Sequence, residues 1–121
     1  MKKVEFIWSL DLAMTMKECM QSLFNKKDIS TFSKELVEIV DPGQVPTIIV
    51  KSFGKHNEDM NGFRLISESQ NSLITAHFAL KTKTIYINVH SCHPYQPSMA
   101  LNKASSFFKT DKYKCQKIFR E

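Results

Sequence analysis

The sequence predicts an α+β fold. A mainly antiparallel sheet carries helices on one face as a two-layer sandwich, and it dimerises into a four-layer αββα arrangement. Three observations predict it. Segments 73–80 and 84–91 read as strands, and the polar turn Lys81-Thr82-Lys83 between them makes a hairpin. Within Ile85-Tyr86-Ile87-Asn88-Val89-His90 apolar and polar residues alternate, so one face of this sheet rests on a core. Strands follow one another through turns, with helical patterns inserted between only some of them, which disfavours a doubly wound parallel sheet. Helices on one side leave the other face of the sheet to be covered, and a homodimer that stacks two such sheets covers it.

The elements follow in order. Residues 4–11 are rich in aromatic and β-branched types and suit a strand. From Thr15 to Phe24, Met16, Cys19, Met20 and Leu23 are spaced as one helix face. A second helix runs from Ile29 through Phe32, Leu36, Val37 and Val40, with Ser30 as its cap and Asp41-Pro42-Gly43 as its stop. Thr47-Ile48-Ile49-Val50 is a strand, 54–62 a polar loop, and Phe63 to Ser67 another strand. After the hairpin, Pro94 and Pro97 end the strand region, Ser98 to Phe108 is helical, and Tyr113 to Phe119 is a closing strand. The inventory is about six strands and three helices, in one domain spanning residues 1–121.

Composition narrows the function. Hydrophobic residues make up 42% and charged residues 24%, as in ordinary globular proteins. No stretch reaches the roughly 18 apolar residues of a membrane span, and no secretory leader pattern stands at the start, so the expected location is the cytoplasm. The net charge of +5 is scattered along the chain, which argues for a solvated basic surface and against nucleic-acid binding. Three cysteines, with no Cys-x-x-Cys pair, argue against a disulfide framework. Cys19 fits a helix face and Cys115 a closing strand. His90 and His93 flank Cys92, but a fourth ligand and paired spacing are missing, so no metal is expected.

The hairpin gathers the chemistry. Ser72 begins its first strand and Cys92 lies just past its second, so the two are adjacent in space. His77 follows Ser72 by an odd interval and points to the opposite pleat of a regular strand. A bulge near Ser72 is needed to bring the two together.

These residues and their setting resemble the bacterial S-adenosylmethionine decarboxylases. In that family a serine precedes a strand histidine by five residues, and a cysteine follows the histidine by fifteen. Ser72, His77 and Cys92 reproduce both intervals. Ile74-Thr75-Ala76-His77-Phe78, Tyr86-Ile87-Asn88-Val89-His90-Ser91-Cys92, Pro94-Tyr95-Gln96-Pro97 and the helix 32–40 are similar too.

The resemblance implies a self-cleaving, pyruvoyl-dependent decarboxylase. Ser72 attacks the carbonyl of Asn71, and elimination leaves a pyruvoyl group on residue 72. The group binds a substrate amine as a Schiff base and acts as an electron sink. His77 assists processing as an acid/base, and Cys92 reprotonates the substrate carbon. The implied substrate is a small cationic amine, S-adenosylmethionine on the way to spermidine. Ornithine or arginine is an alternative substrate, and an uncleaved regulatory homologue an alternative role. Glu68, Phe6 and Trp8 are candidate substrate contacts, with Asp11 a further carboxylate for a cation. Three positions depart from the family pattern: Asn71 replaces a Glu, Leu73 a His, and Arg64 a hydroxyl residue that aids processing. Glu68-Ser69 offers Ser69 as a rival cleavage site.

Overall fold

The computed structural model describes residues 8–120. Six strands and two α-helices follow in the order β1 (Ser9–Lys17), α1 (Lys26–Val40), β2 (Thr47–Phe53), β3 (Gly62–Glu68), β4 (Ser72–Ala79), β5 (Thr84–Ser91), α2 (Pro97–Phe107) and β6 (Lys112–Arg120). They form one sheet in the order β2-β3-β4-β5-β1-β6, in which every neighbouring pair is antiparallel.

Period-two burial determines which way the sheet faces. Leu12, Met14 and Met16 of β1 lie opposite Val89, Ile87 and Ile85 of β5, and all six are buried. On the same face β4 contributes Ile74, Ala76 and Phe78. Helix α1 covers this face with Ile29, Phe32, Leu36, Val37 and Val40, and α2 adds Ala100 and Ala104. Phe24, Phe32, Phe78 and Phe108 meet edge-on or tilted, with ring centroids from 4.8 to 6.0 Å apart, the arrangement that aromatic quadrupoles favour. Gly62 is required by close approach, because a Cβ there would stand 1.8 Å from the Phe78 carbonyl oxygen of β4.

The expected helix at 15–24 is absent. Thr15 to Lys17 continue β1, and a single 3-10 turn, Gln21–Leu23, follows. Apolar residues at 16, 19, 20 and 23 mimic a helix face, but Leu12, Met14 and Met16 also alternate. Cross-strand burial against β5 favours that second period. The first strand therefore runs later than expected, and residues 4–7 lie outside the described part. Helix α1 begins before Ile29 and is capped by Asn25, whose side-chain oxygen accepts the Asp28 N–H at 2.9 Å. Ser30 lies inside it. The hairpin, the 97–107 helix and the closing strand fall where expected to within a residue or two.

Among the described residues nothing covers the sheet face opposite the helices. Ile49, Ile66, Leu73 and Tyr86 on it are 41–50% exposed. Among the described residues no helix is long and apolar enough to cross a membrane.

Candidate active site

The site lies at the end of the sheet where β3 turns into β4 and β5 runs out. Ser72 and Ser91 are cross-strand partners, so Cys92 follows directly beside the start of β4. The Cys92 N–H donates to the Asn71 carbonyl at 2.8 Å. Across the β3–β4 turn, the Ser69 N–H donates to the Ser72 carbonyl at 3.0 Å. Helix α1 ends here too, because Ser91 Oγ donates to the Val40 carbonyl at 2.8 Å. That bond places Asp41, the residue at which Pro42 and Gly43 stop the helix, against the turn.

Asp41 is only 1% exposed. Its Oδ2 accepts the Ser69 hydroxyl at 2.6 Å and the Asn71 N–H at 2.9 Å, and its Oδ1 accepts the Asn71 side-chain amide at 3.0 Å. Burial alone would raise its pKa. The hydrogen bonds from Ser69 and Asn71, aided by the charge of His93, outweigh burial and hold the carboxyl below its ordinary value. Ser69 Oγ also contacts Ser72 Oγ. Ser72 itself is 5% exposed.

The Cys92 thiol is exposed, and its sulfur lies 3.8 Å from His90 Nε2. His90 Nδ1 stands 2.5 Å from Asp11 Oδ1, and Asp11 Oδ2 accepts from Arg120 Nε at 2.8 Å. A cleft of about 260 Å3 opens at this end, bordered by Glu68, Ser69, Ser72, His90 and Cys92.

His77 is elsewhere. Strand β4 keeps an unbroken register with β3 and β5 from Ser72 to Ala79, with no bulge. His77 therefore projects from the uncovered face, while Ser72 shares the face of Ile74 and Phe78. Five residues of strand separate them by roughly 17 Å. His77 pairs across the strands with Arg64 and Tyr86 and meets the Phe53 ring edge-on at 5.2 Å. The Arg64 guanidinium carbon lies 3.7 Å from the centre of that same ring. Burial first, and the Arg64 charge second, lower the pKa of His77, so the ring is neutral near pH 7.

The remaining candidates divide. Glu68 is exposed at the end of β3 and lines the cleft. Trp8 packs edge-on against Phe119, with centroids 5.2 Å apart. Phe6 lies outside the described residues. Sequence reasoning took Asp41 only as a helix stop, Ser69 only as a rival cleavage site and His90 only as a metal candidate. Asp41 carried no local signal of a role here, since its partners are 28 and 30 residues away.

The profile of a protein family described as S-adenosylmethionine decarboxylase matches residues 11–121. The chain belongs to the S-adenosylmethionine decarboxylase family. Membership places it among decarboxylases, as its sequence led one to expect. Its fold matches the crystal structure of the adenosylmethionine decarboxylase from Aquifex aeolicus VF5 with a TM-score of 0.74, at 11% identity over 93% of this chain and 89% of that one. No curated protein sequence matches the chain.

S-adenosylmethionine decarboxylases are pyruvoyl-dependent in general, and the residues at the end of the β4–β5 hairpin fit such a group. Residue 72 is a serine, the residue type such a group is formed from, and it stands at the start of β4. The carbonyl before it accepts an N–H, and the Ser69 hydroxyl, itself bonded to buried Asp41, stands beside the Ser72 hydroxyl.

Proposed function

We propose that this chain cleaves itself between Asn71 and Ser72 and then decarboxylates S-adenosylmethionine, the reaction that makes the aminopropyl donor of spermidine synthesis. One observation carries the reading: the Asn71 carbonyl, immediately before Ser72, accepts the Cys92 N–H at 2.8 Å. A donor at that oxygen stabilises the negative charge that builds there when a hydroxyl attacks the carbonyl carbon. It also favours Ser72 over Ser69 as the cleaved residue, because Asn71 is the residue before Ser72.

Attack by Ser72 Oγ converts the Asn71–Ser72 amide to an ester and frees the amine of residue 72. Removal of the Ser72 Cα proton then breaks the Cβ–Oγ bond and leaves Asn71 as a carboxylate. Hydrolysis of the resulting enamine by water releases ammonia and leaves the pyruvoyl group. That group supplies an electron sink for loss of the substrate carboxylate. Cys92 delivers the proton to the substrate carbon, and His90, held by Asp11, orients its thiol. Glu68, on the rim of the cleft, sets a carboxylate toward the cationic substrate.

The uncovered sheet face completes the assembly. Two copies stack through it, burying Ile49, Ile66, Leu73 and Tyr86. His77 cannot reach Ser72 of its own chain along a regular strand, so in the stacked pair it serves the site of the other copy.

Intact mass spectrometry of freshly purified protein tests the reading. Two fragments meeting at 71/72, the second with a pyruvoyl mass, are expected. Carbon dioxide release from labelled S-adenosylmethionine, and none from ornithine or arginine, is expected next. A single uncut chain would sink the proposal in favour of a regulatory homologue, and release from ornithine or arginine alone would replace the substrate.

A further inference from the structure

Asp41 is a buried carboxylate that makes no ion pair with any described residue. Three donors hold it instead, and all three come from the turn that contains the bond to be cut. A buried carboxylate with no ion-pair partner in contact is costly, so a fold that keeps one commonly uses it.

The hydrogen-bond inventory orients this chain of groups. An ionised carboxylate can only accept, so the single Ser69 hydroxyl proton points to Asp41 Oδ2. Ser69 Oγ then has only lone pairs to offer Ser72 Oγ. In that contact Ser72 is the donor. The hydroxyl proton of Ser72 thus already lies on a path to Asp41, and its own lone pairs are free on the side away from Ser69.

We propose that Ser69 and Asp41 form a proton relay that activates Ser72 for self-cleavage, with Ser69 as a catalytic residue and Asp41 as the positioning residue behind it. The inference rests on the self-cleavage reading above. As the bond from Ser72 Oγ to the Asn71 carbonyl carbon forms, the Ser72 proton passes to Ser69 Oγ and the Ser69 proton passes to Asp41. The carbonyl electron pair moves to the Asn71 oxygen, whose negative charge the hydrogen bond donated by the Cys92 N–H stabilises. The C–N bond of the 71–72 amide then breaks, and the proton returns from Asp41 through the Ser69 hydroxyl to the departing nitrogen of residue 72. The step is an isomerisation from amide to ester and needs no other reactant. Asp41 holds Asn71 at two further points, so it also keeps the carbonyl in place for attack.

Cleavage kinetics, followed by intact mass after synthesis in a cell-free system, test the relay. Ser69→Ala is expected to slow cleavage by about 10²-fold or more, the usual scale of a lost proton-transfer group. Ser69→Thr, which keeps the hydroxyl, is expected to restore most of it. Asp41→Asn is expected to slow cleavage to a similar extent. Hydroxylamine, which captures an ester, is expected not to release fragments from the Ser69→Ala chain, since the block precedes the ester. Unfolding curves separate loss of fold from loss of relay, and the Ser69 pair stands alone if Asp41→Asn does not fold. Cleavage of Ser69→Ala at the native rate overturns the relay, as does failure of Ser69→Thr to outpace Ser69→Ala. In both cases native cleavage leaves the self-cleavage reading intact, whereas an uncut native chain overturns both.

Discussion

The backbone N–H of Cys92 donates to the carbonyl oxygen of Asn71. In the proposed reaction one residue thus offers two groups to two steps: its main chain faces the bond before Ser72, while its thiol borders the cleft. Replacing the side chain keeps the N–H. Cys92→Ala should still cut at 71/72 within a few-fold of the native rate, by mass spectrometry. Its carbon dioxide release should fall by about 10²-fold or more. Loss of both together would remove the thiol's separate role.

His77 and Ser72 occupy opposite faces of β4. A chain carrying Ser72→Ala and a chain carrying His77→Ala should each stay uncut when made alone. Co-expressed, the His77→Ala chain should be cut at 71/72, because its partner supplies the ring. No fragment from the mixture would place His77 in the same chain's chemistry or in none.

Arg64 on β3 is the cross-strand partner of His77 on β4, and its charge is the second cause of the ring's lowered pKa. Arg64→Ser should raise the His77 titration midpoint toward the unperturbed value of about 6.5 without reaching it, because burial remains. The ring proton shift in NMR against pH reads this directly. An unmoved midpoint would mean that burial alone sets it.

Cys19 is buried beneath the β1 end, and burial pushes its thiol up to about 11. Cys92 and Cys115 are exposed. In native protein at pH 8 an aromatic disulfide reagent should modify Cys92 and Cys115 and leave Cys19 untouched until denaturant is added. Peptide mapping checks the assignment.

The Asp41 carboxyl has a lower pKa folded than unfolded. Its contribution to stability is thus fully present above the unfolded value, about 3.9, and disappears as pH falls through the lowered folded value. Asp41→Asn should unfold at lower urea than the native chain at pH 6, with the gap narrowing by pH 3. A gap that stays constant would assign the effect to packing.

Much of this molecule follows from local pattern. The period-two alternation of 85–90, the helical spacing from Phe32 to Val40 and the Asp41-Pro42-Gly43 stop each describe a few consecutive residues, and each is met in the structure. Met16, Cys19, Met20 and Leu23 misled because the same residues fit two periods. Only contact with Ile85, Ile87 and Val89 decided between them. The intervals among Ser72, His77 and Cys92 pointed to the family that the profile match shows.

By itself, then, the sequence determined the fold class, the hairpin and the family, because these rest on local spacing and on a motif within 21 residues of chain, from Ser72 to Cys92. The tertiary structure alone decided which groups surround Ser72. Asp41 reaches Ser69 and Asn71, its neighbours in the turn, from about 30 residues away, and Asp11 reaches His90 across 79. No pattern of neighbours records such contacts, since they arise only when the end of α1 and the far strand β1 pack against the hairpin. The same packing set His77 and Ser72 on opposite faces, because a pleated strand that keeps its register cannot turn an odd interval to one side.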